Sequence, residues 1–310
     1  MNTFWQTFLD HFYGSHTQRV LQEAFDLFIM LWPYLVAGIV LTSLIKTTIS
    51  KEKVASFFIK NQKISILLAA LIGVISPLGS YVAIPLSASL FLLGTPLPVI
   101  MALIVSSPLI DPNLFILTAG VFGYQMALAR VVSAFMLGIS AGYITQWLMQ
   151  FAFIKDESII KRENESIKIF RESQTGKPQP GFFPTLFGLT LYISKYFFLA
   201  LVLAAVIKIL APANLMLRLF NNSQFLSVLF SAAAGIPFYV CGGAAIPVVR
   251  ELADLGLSHG AVLAFFIAGP VTKISNLLLV YAVYSFRIFL IYLLTGISGA
   301  VLFGLLYNIL

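Results

Sequence analysis

The feature that most constrains this chain is the length of its uninterrupted apolar stretches. Five segments contain no Asp, Glu, Lys or Arg, and each approaches or exceeds the roughly 20 residues that span a hydrocarbon core. They are Ile64–Ile110, Leu219–Val249, Val131–Ile154, Ile288–Leu310 and Leu27–Ile45. Charged residues make up 10% of the chain, and the mean hydropathy is +0.96, far outside the soluble range. The sequence therefore predicts an all-α polytopic membrane protein, not a soluble enzyme or a nucleic-acid-binding protein.

The net charge of +7 is concentrated in two loops. Residues 46–63 hold five lysines and one glutamate, and residues 155–177 hold six cations and five acids. Because cytoplasmic loops of membrane proteins carry an excess of Lys and Arg, both loops are predicted to be cytoplasmic. This pattern indicates a multi-pass protein of the cytoplasmic (inner) membrane, with the lipid bilayer as its partner.

The chain also contains an internal duplication. An offset of 162 residues, without gaps, aligns Tyr34–Leu148 with Tyr196–Leu310. Apolar matches are common in such a composition, but proline and glycine matches are not, because these residues have special backbone geometry. The matched pairs include Gly73/Gly235, Pro85/Pro247, Gly94/Gly256, Pro108/Pro270 and Gly142/Gly304.

Each copy is predicted to contain a long helix, a second helix, a region broken by prolines and a closing long helix. The predicted helices cover about 23–45, 64–78 and 121–148 in the first copy, and about 185–207, 224–236 and 283–308 in the second. Prolines cut the broken regions into pieces too short to span a bilayer, which suits half-helices or re-entrant hairpins that meet centrally. The predicted helix breaks are Pro85, Pro108, Pro247 and Pro270.

Four regions follow from this pattern. Residues 1–22 form an interfacial helix with aromatic residues at helical spacing, 23–148 form membrane repeat 1, 149–183 form a cytoplasmic linker, and 184–310 form membrane repeat 2. The linker equivalent to 46–63 in the second copy keeps only Lys208 and Arg218. This imbalance favours two inverted structural repeats, since equivalent linkers then face opposite sides.

No motif for catalysis or metal binding is present in the sequence. The chain has three histidines and one cysteine, and it lacks H-E-x-x-H and G-x-S-x-G, so we expect no enzyme activity, no metal and no cofactor.

Charged residues within apolar segments are more informative than these motifs. Arg130, Arg287 and Lys195 are interpreted as snorkelling to the interface, whereas Asp111 and Lys273 occupy equivalent positions of the two copies and are predicted to form an ion pair.

Two stretches resemble the twin motifs of the ArsP/YraQ-type permeases. The most specific segments are V-C-G-x-A-x-I-P at Val240–Pro247 and A-G-P-x-T at Ala268–Thr272, and the similarity covers most of 30–148 and 190–310. Some members of that family export trivalent organoarsenicals. The resemblance implies a permease, with efflux of organoarsenical-like compounds as one specific form. Where related exporters have a Cys-Ser-Cys-like run, this chain has Gly79-Ser80-Tyr81, so Cys241 alone cannot build a multi-thiolate arsenic site.

The predicted function is alternating-access transport of a small solute across the membrane. Half-helix ends of both copies would form the substrate site, which we assign to Ser80, Tyr81, Ser106, Ser107, Asp111, Asn113, Cys241, Gly242, Gly243, Thr272, Lys273, Ser275 and Asn276. For the small residues, close helix packing explains the sequence equally well, and for Cys241 so does apolar packing. The alternative function is a structural or assembly membrane protein without transport. Homo-oligomer formation stays open, and no nucleic-acid partner is expected.

Overall fold

The computed structural model describes residues 16–48, 64–75, 79–92, 95–151, 224–238 and 242–309, together with scattered positions between 181 and 202. Nearly all of these residues are helical and none forms a β-strand, so the all-α prediction is confirmed for them. The helices of the first copy are α1 (His16–Thr48), α2 (Ser65–Ile75), α3 (Gly79–Leu92), α4 (Leu97–Ser106), α5 (Pro112–Phe122) and α6 (Tyr124–Gln150). Those of the second copy are α7 (Gln224–Phe238), α8 (Gly242–Asp254), α9 (His259–Thr272), α10 (Ile274–Val283) and α11 (Phe286–Ile309).

The long helix α1 begins earlier than the sequence predicts. It starts at His16 and passes through the predicted boundary between residues 22 and 23, because no proline or glycine lies between His16 and Pro33. The interfacial aromatic residues of the predicted N-terminal helix lie outside the described residues. Most of the 149–183 linker and most of the predicted 185–207 helix also lie outside them.

The helix starts recur at the offset found in the sequence. The first residues of α4, α5 and α6, shifted by 162, coincide with those of α9, α10 and α11. Packing recurs with them. A Cβ atom at Gly142 would approach Ile66, Ala102 and the carbonyl of Pro98, and one at Gly304 would approach the equivalent Val228, Ala264 and Gly260. Gly142 and Gly304 are therefore positions where helices pack closely.

In each copy the central helix is enclosed by two others. Every residue of α4 is buried between α2 and α6, and Gly260–Thr272 of α9 are buried between α7 and α11. With 10 and 14 residues these helices are about 15 and 21 Å long, shorter than the roughly 30 Å hydrocarbon core. The predicted short pieces within the broken regions are thus confirmed.

The long helices α6 and α11 direct apolar side chains outward and small or polar ones inward. On α6 the exposed residues include Leu128, Val132, Met136 and Trp147, whereas Arg130, Ser133 and Thr145 are buried. This distribution is typical of a helix that faces lipid. Among the described residues, α6 and α11 are long and apolar enough to span a membrane.

Contacts between the two copies are reciprocal. Helix α3 packs on α10 and the equivalent α8 packs on α5, while α9 contacts α6 and the equivalent α4 contacts α11. Helices α6 and α11 contact each other, and a Cβ at Gly299 would meet Leu137, its own equivalent in the other copy. A two-fold relation between the copies would bring equivalent positions together in this way.

Candidate functional site

The assigned site residues lie at two pairs of equivalent places, and each pair has one place in each copy. Ser80 and Tyr81 are in the first turn of α3, and Gly242 and Gly243 begin the equivalent helix α8. The remaining described residues lie at the α4–α5 and α9–α10 connections. Cys241 lies outside the described residues, and for Ser275 the structure gives only its place in α10.

At the α4–α5 connection, Asp111 caps the N-terminus of α5. Its carboxylate accepts a hydrogen bond from the backbone N–H of Leu114 at 2.8 Å, and Pro112 follows as the first helical residue. An acidic N-cap followed by proline is a favoured helix start, because it satisfies an amide that has no helical partner. Part of the role of Asp111 is therefore helix capping, and its predicted pairing with Lys273 stays a prediction.

The same connection contains buried polar side chains with different degrees of hydrogen bonding. Ser106 donates its hydroxyl to the carbonyl of Ala102 at 2.7 Å, where Gly73 allows α2 to approach. Ser107 and Asn113 are buried, and within the described residues the Ser107 hydroxyl and the Asn113 amide oxygen have no hydrogen-bond partner. Buried polar atoms normally have partners, so these two atoms are candidates for contact with a ligand or water.

At the α9–α10 connection, Thr272 ends α9 and donates to the carbonyl of Ala268 at 2.8 Å. Lys273, which is half-buried, links the two helices. The amide nitrogen Nδ2 of Asn276 donates to the carbonyl of Pro270 at 2.7 Å. The Asn276 amide oxygen is buried without a partner in the described part of the chain.

The proline prediction needs a correction. Pro108 lies in the turn after α4 as predicted, but α3 continues through Pro85, α8 through Pro247 and α9 through Pro270. A proline removes one helical hydrogen bond without necessarily ending the helix when surrounding packing holds the backbone. In the second copy the break is therefore displaced from Pro270 to Lys273.

The prediction that Arg130 snorkels to the interface is wrong. Its side chain is 2% exposed and lies inside the protein. The guanidinium donates to the hydroxyl of Thr118 and, at 3.2 Å, to the carbonyl of Leu109, and it lies 4.2 Å from the ring centre of Phe266. It thereby joins the α4–α5 connection to α9 of the other copy.

The sequence contained a signal for this residue. Arg130 shares a helical face of α6 with Ser133, Leu137 and Ala141, and that face is buried. Glu251 on α8 is also buried, and no sequence motif indicates this. Arg287, by contrast, is exposed at the start of α11, which agrees with a residue at the interface, and Lys195 lies outside the described residues.

Two polar contacts join the copies near the site. The hydroxyls of Ser87 on α3 and Tyr284, which follows α10, form a hydrogen bond. On the equivalent surface, Arg250 of α8 donates to the carbonyl of Val121 at 2.9 Å and pairs with Asp254 at 3.2 Å. A cation at the last turn of α5 also suits the helix dipole. The α3–α10 and α8–α5 interfaces are thus fixed by different chemistry.

Comparison with known proteins identifies the family of this chain. A family model described as "ArsP_1: Predicted permease" matches residues 20–309. The UPF0718 protein YcgR of Bacillus subtilis (strain 168) is 24% identical over 272 residues, which cover 88% of this chain and 90% of that protein. No solved structure matches the chain. Because the family model covers nearly the whole sequence, the chain belongs to the ArsP_1 family of predicted permeases.

Proposed function

We propose that this protein moves a small solute across the cytoplasmic membrane by alternating access between two inverted repeats. The observation that carries the proposal is the reciprocal packing of α3 on α10 and α8 on α5. Half-helices of one copy thereby contact half-helices of the other, as in transporters whose sites form at the repeat interface.

The distribution of polar groups supports a pathway through the interior. Outward faces of α6 and α11 are apolar, whereas the ends of the short helices contain the buried Ser107, Asn113 and Asn276. Burying such side chains at membrane depth is costly unless they are hydrogen-bonded. Their presence therefore indicates a structural role or a role in transport. Their partnerless oxygens favour transport, because a solute can supply the missing hydrogen-bond donors.

The proposed substrate class is an organoarsenical-like compound that leaves the cell. Family membership supports a permease, and the substrate class rests on the motif resemblance at Val240–Pro247 and Ala268–Thr272. The chain has one cysteine, so recognition would depend on hydroxyl, amide and backbone groups more than on thiolates.

Flux in reconstituted vesicles tests this proposal. Purified protein in proteoliposomes should accelerate the passage of trivalent methylarsenite over protein-free vesicles, and expression should protect an arsenical-sensitive bacterium. Inorganic arsenite and a small organic anion serve as comparison solutes. Absence of flux for every solute from correctly folded protein would favour the structural or assembly alternative.

A cysteine variant distinguishes substrate recognition by sulfur from recognition by hydroxyl, amide and backbone groups. We expect Cys241→Ser to retain most of the flux, because no second thiol is available to complete a sulfur site. If this variant were folded but lost all methylarsenite transport, sulfur ligation would be central and the recognition argument would be wrong.

A further inference from the structure

The α4–α5 connection contains a cation supplied by the protein itself. Arg130 donates to the carbonyl of Leu109 at 3.2 Å and to the hydroxyl of Thr118, so its guanidinium compensates the partial negative charge of a non-helical backbone segment. At this depth in the protein an unsatisfied carbonyl would be costly. In the first copy, a positive charge within the protein thus provides the hydrogen-bond donor for a carbonyl of the broken region.

In the second copy the position equivalent to Arg130 is not occupied by a cation, although Lys273 follows two residues after Val271. The residue equivalent to Arg130 is Tyr292, and the carbonyl equivalent to that of Leu109 belongs to Val271. Helix α11 packs against this residue, since a Cβ at Gly296, one turn after Tyr292, would meet the Val271 side chain. Tyr292 is fully buried, and its hydroxyl has no hydrogen-bond partner among the described residues.

Other oxygen atoms are present at the same end of α9. Asn276 donates its Nδ2 to the carbonyl of Pro270, which fixes the amide orientation and identifies the partnerless buried atom as Oδ1. Pro270 has no amide hydrogen to give to the carbonyl of Phe266 one turn earlier. The C-terminal end of a helix also has a partial negative charge. This region therefore combines several oxygen acceptors.

We propose that the end of α9, with Asn276 and Tyr292, binds a monovalent metal cation, with Na⁺ as the committed ligand. Carbonyls of broken helices and half-helix C-termini coordinate Na⁺ in transporters. Lys273 and the Arg130 guanidinium near Phe266 repel any cation in proportion to its charge, and the oxygen atoms are neutral, so a divalent ion is disfavoured more strongly than Na⁺. The site is defined by binding and does not require that the proposed transport occurs.

Thermal unfolding of the purified full-length protein in detergent tests the site. Choline is replaced by Na⁺ at constant ionic strength, and the unfolding midpoint is recorded. We expect a saturable rise of roughly 2–4 °C with Na⁺ for the wild type, because a ligand that binds only the folded state stabilises it. Tyr292→Phe and Asn276→Leu should lose this rise. Asn113→Leu, which removes a similarly buried amide from the first copy, should retain it.

Three results would overturn the proposal: equal midpoints in Na⁺ and choline for the wild type, a full Na⁺ effect in both second-copy variants, or its loss in Asn113→Leu. If Asn276→Leu fails to fold, Tyr292→Phe decides, since it removes only the hydroxyl. A Na⁺ effect in protein that transports nothing would support this site and contradict the proposed function, so the two failures are distinguishable.

Discussion

Asp111 combines a helix cap with a charge that the sequence predicts to be paired with Lys273. The two functions are separable, because asparagine caps helices as well as aspartate does but carries no charge. The structure establishes the cap through the contact with the Leu114 amide. A charge test must therefore use Asp111→Asn.

For the predicted pair, Asp111→Asn and Lys273→Asn should each reduce the yield of monodisperse protein, since each leaves one charge uncompensated. The double variant should recover it. Size-exclusion chromatography and thermal unfolding of all four proteins measure this. Additive damage in the double variant would show that the two residues do not interact.

Arg130 provides a second prediction at this scale. Arg130→Leu should lower the free energy of unfolding by about 3 kcal/mol, because it leaves the buried Leu109 carbonyl and Thr118 hydroxyl without their charged donor. Arg130→Lys should lower the free energy of unfolding by less, since it retains the charge but loses the planar guanidinium with its several donors. The exposed Arg287 is the matched control, and Arg287→Leu should change stability little. Equal effects at both positions would contradict the assigned role.

Single residues were the hardest features to predict. Composition indicates that a charge in an apolar segment is unusual, but whether Arg130 points inward depends on which face of α6 packs against the other helices. The capping role of Asp111 is readable from its position before Pro112, whereas its charge within an apolar segment favours an ion pair. The sequence gives no reason to select Tyr292, because the burial of its hydroxyl and the lack of a hydrogen-bond partner among the described residues are visible only in the structure.

At the scale of helices, the hydrophobic pattern and the 162-residue offset predicted most of the observed elements. Helices α2, α6, α7 and α11 lie within a few residues of their predicted bounds. The proline-based breaks were less reliable, since α9 extends four residues beyond the equivalent end of α4. Packing can hold a helix through a proline, and that information is not local.

The paired glycines give a prediction for the three-helix units. Gly142→Ala and Gly304→Ala should each lower the free energy of unfolding by about 1–3 kcal/mol, because the added Cβ would lie 2.6 Å from Ile66 and 2.7 Å from the carbonyl of Gly260, respectively. Gly188→Ala is the control, since no atom of the described structure lies within 4 Å of its added Cβ. Equal stability of all three variants would contradict the shared close packing.

At the scale of the whole molecule, the central claim is that the two copies have opposite orientations in the membrane. The reciprocal contacts between the copies agree with a two-fold relation, and the unequal basic linkers favour an axis in the membrane plane. Sequence alone predicted the duplication, because its glycines and prolines are in register. The pairing of α3 with α10 and α8 with α5 could not be predicted, since it depends on how the copies dock.

Sided labelling of two equivalent positions tests this claim most directly. Tyr124 and Phe286 begin α6 and α11 and are both exposed, so each can be changed to cysteine in a Cys241→Ser background. With the basic linkers in the cytoplasm, a membrane-impermeant thiol reagent should label Tyr124→Cys in intact cells and Phe286→Cys only after permeabilisation. Labelling of both positions from the same side would contradict the inverted arrangement.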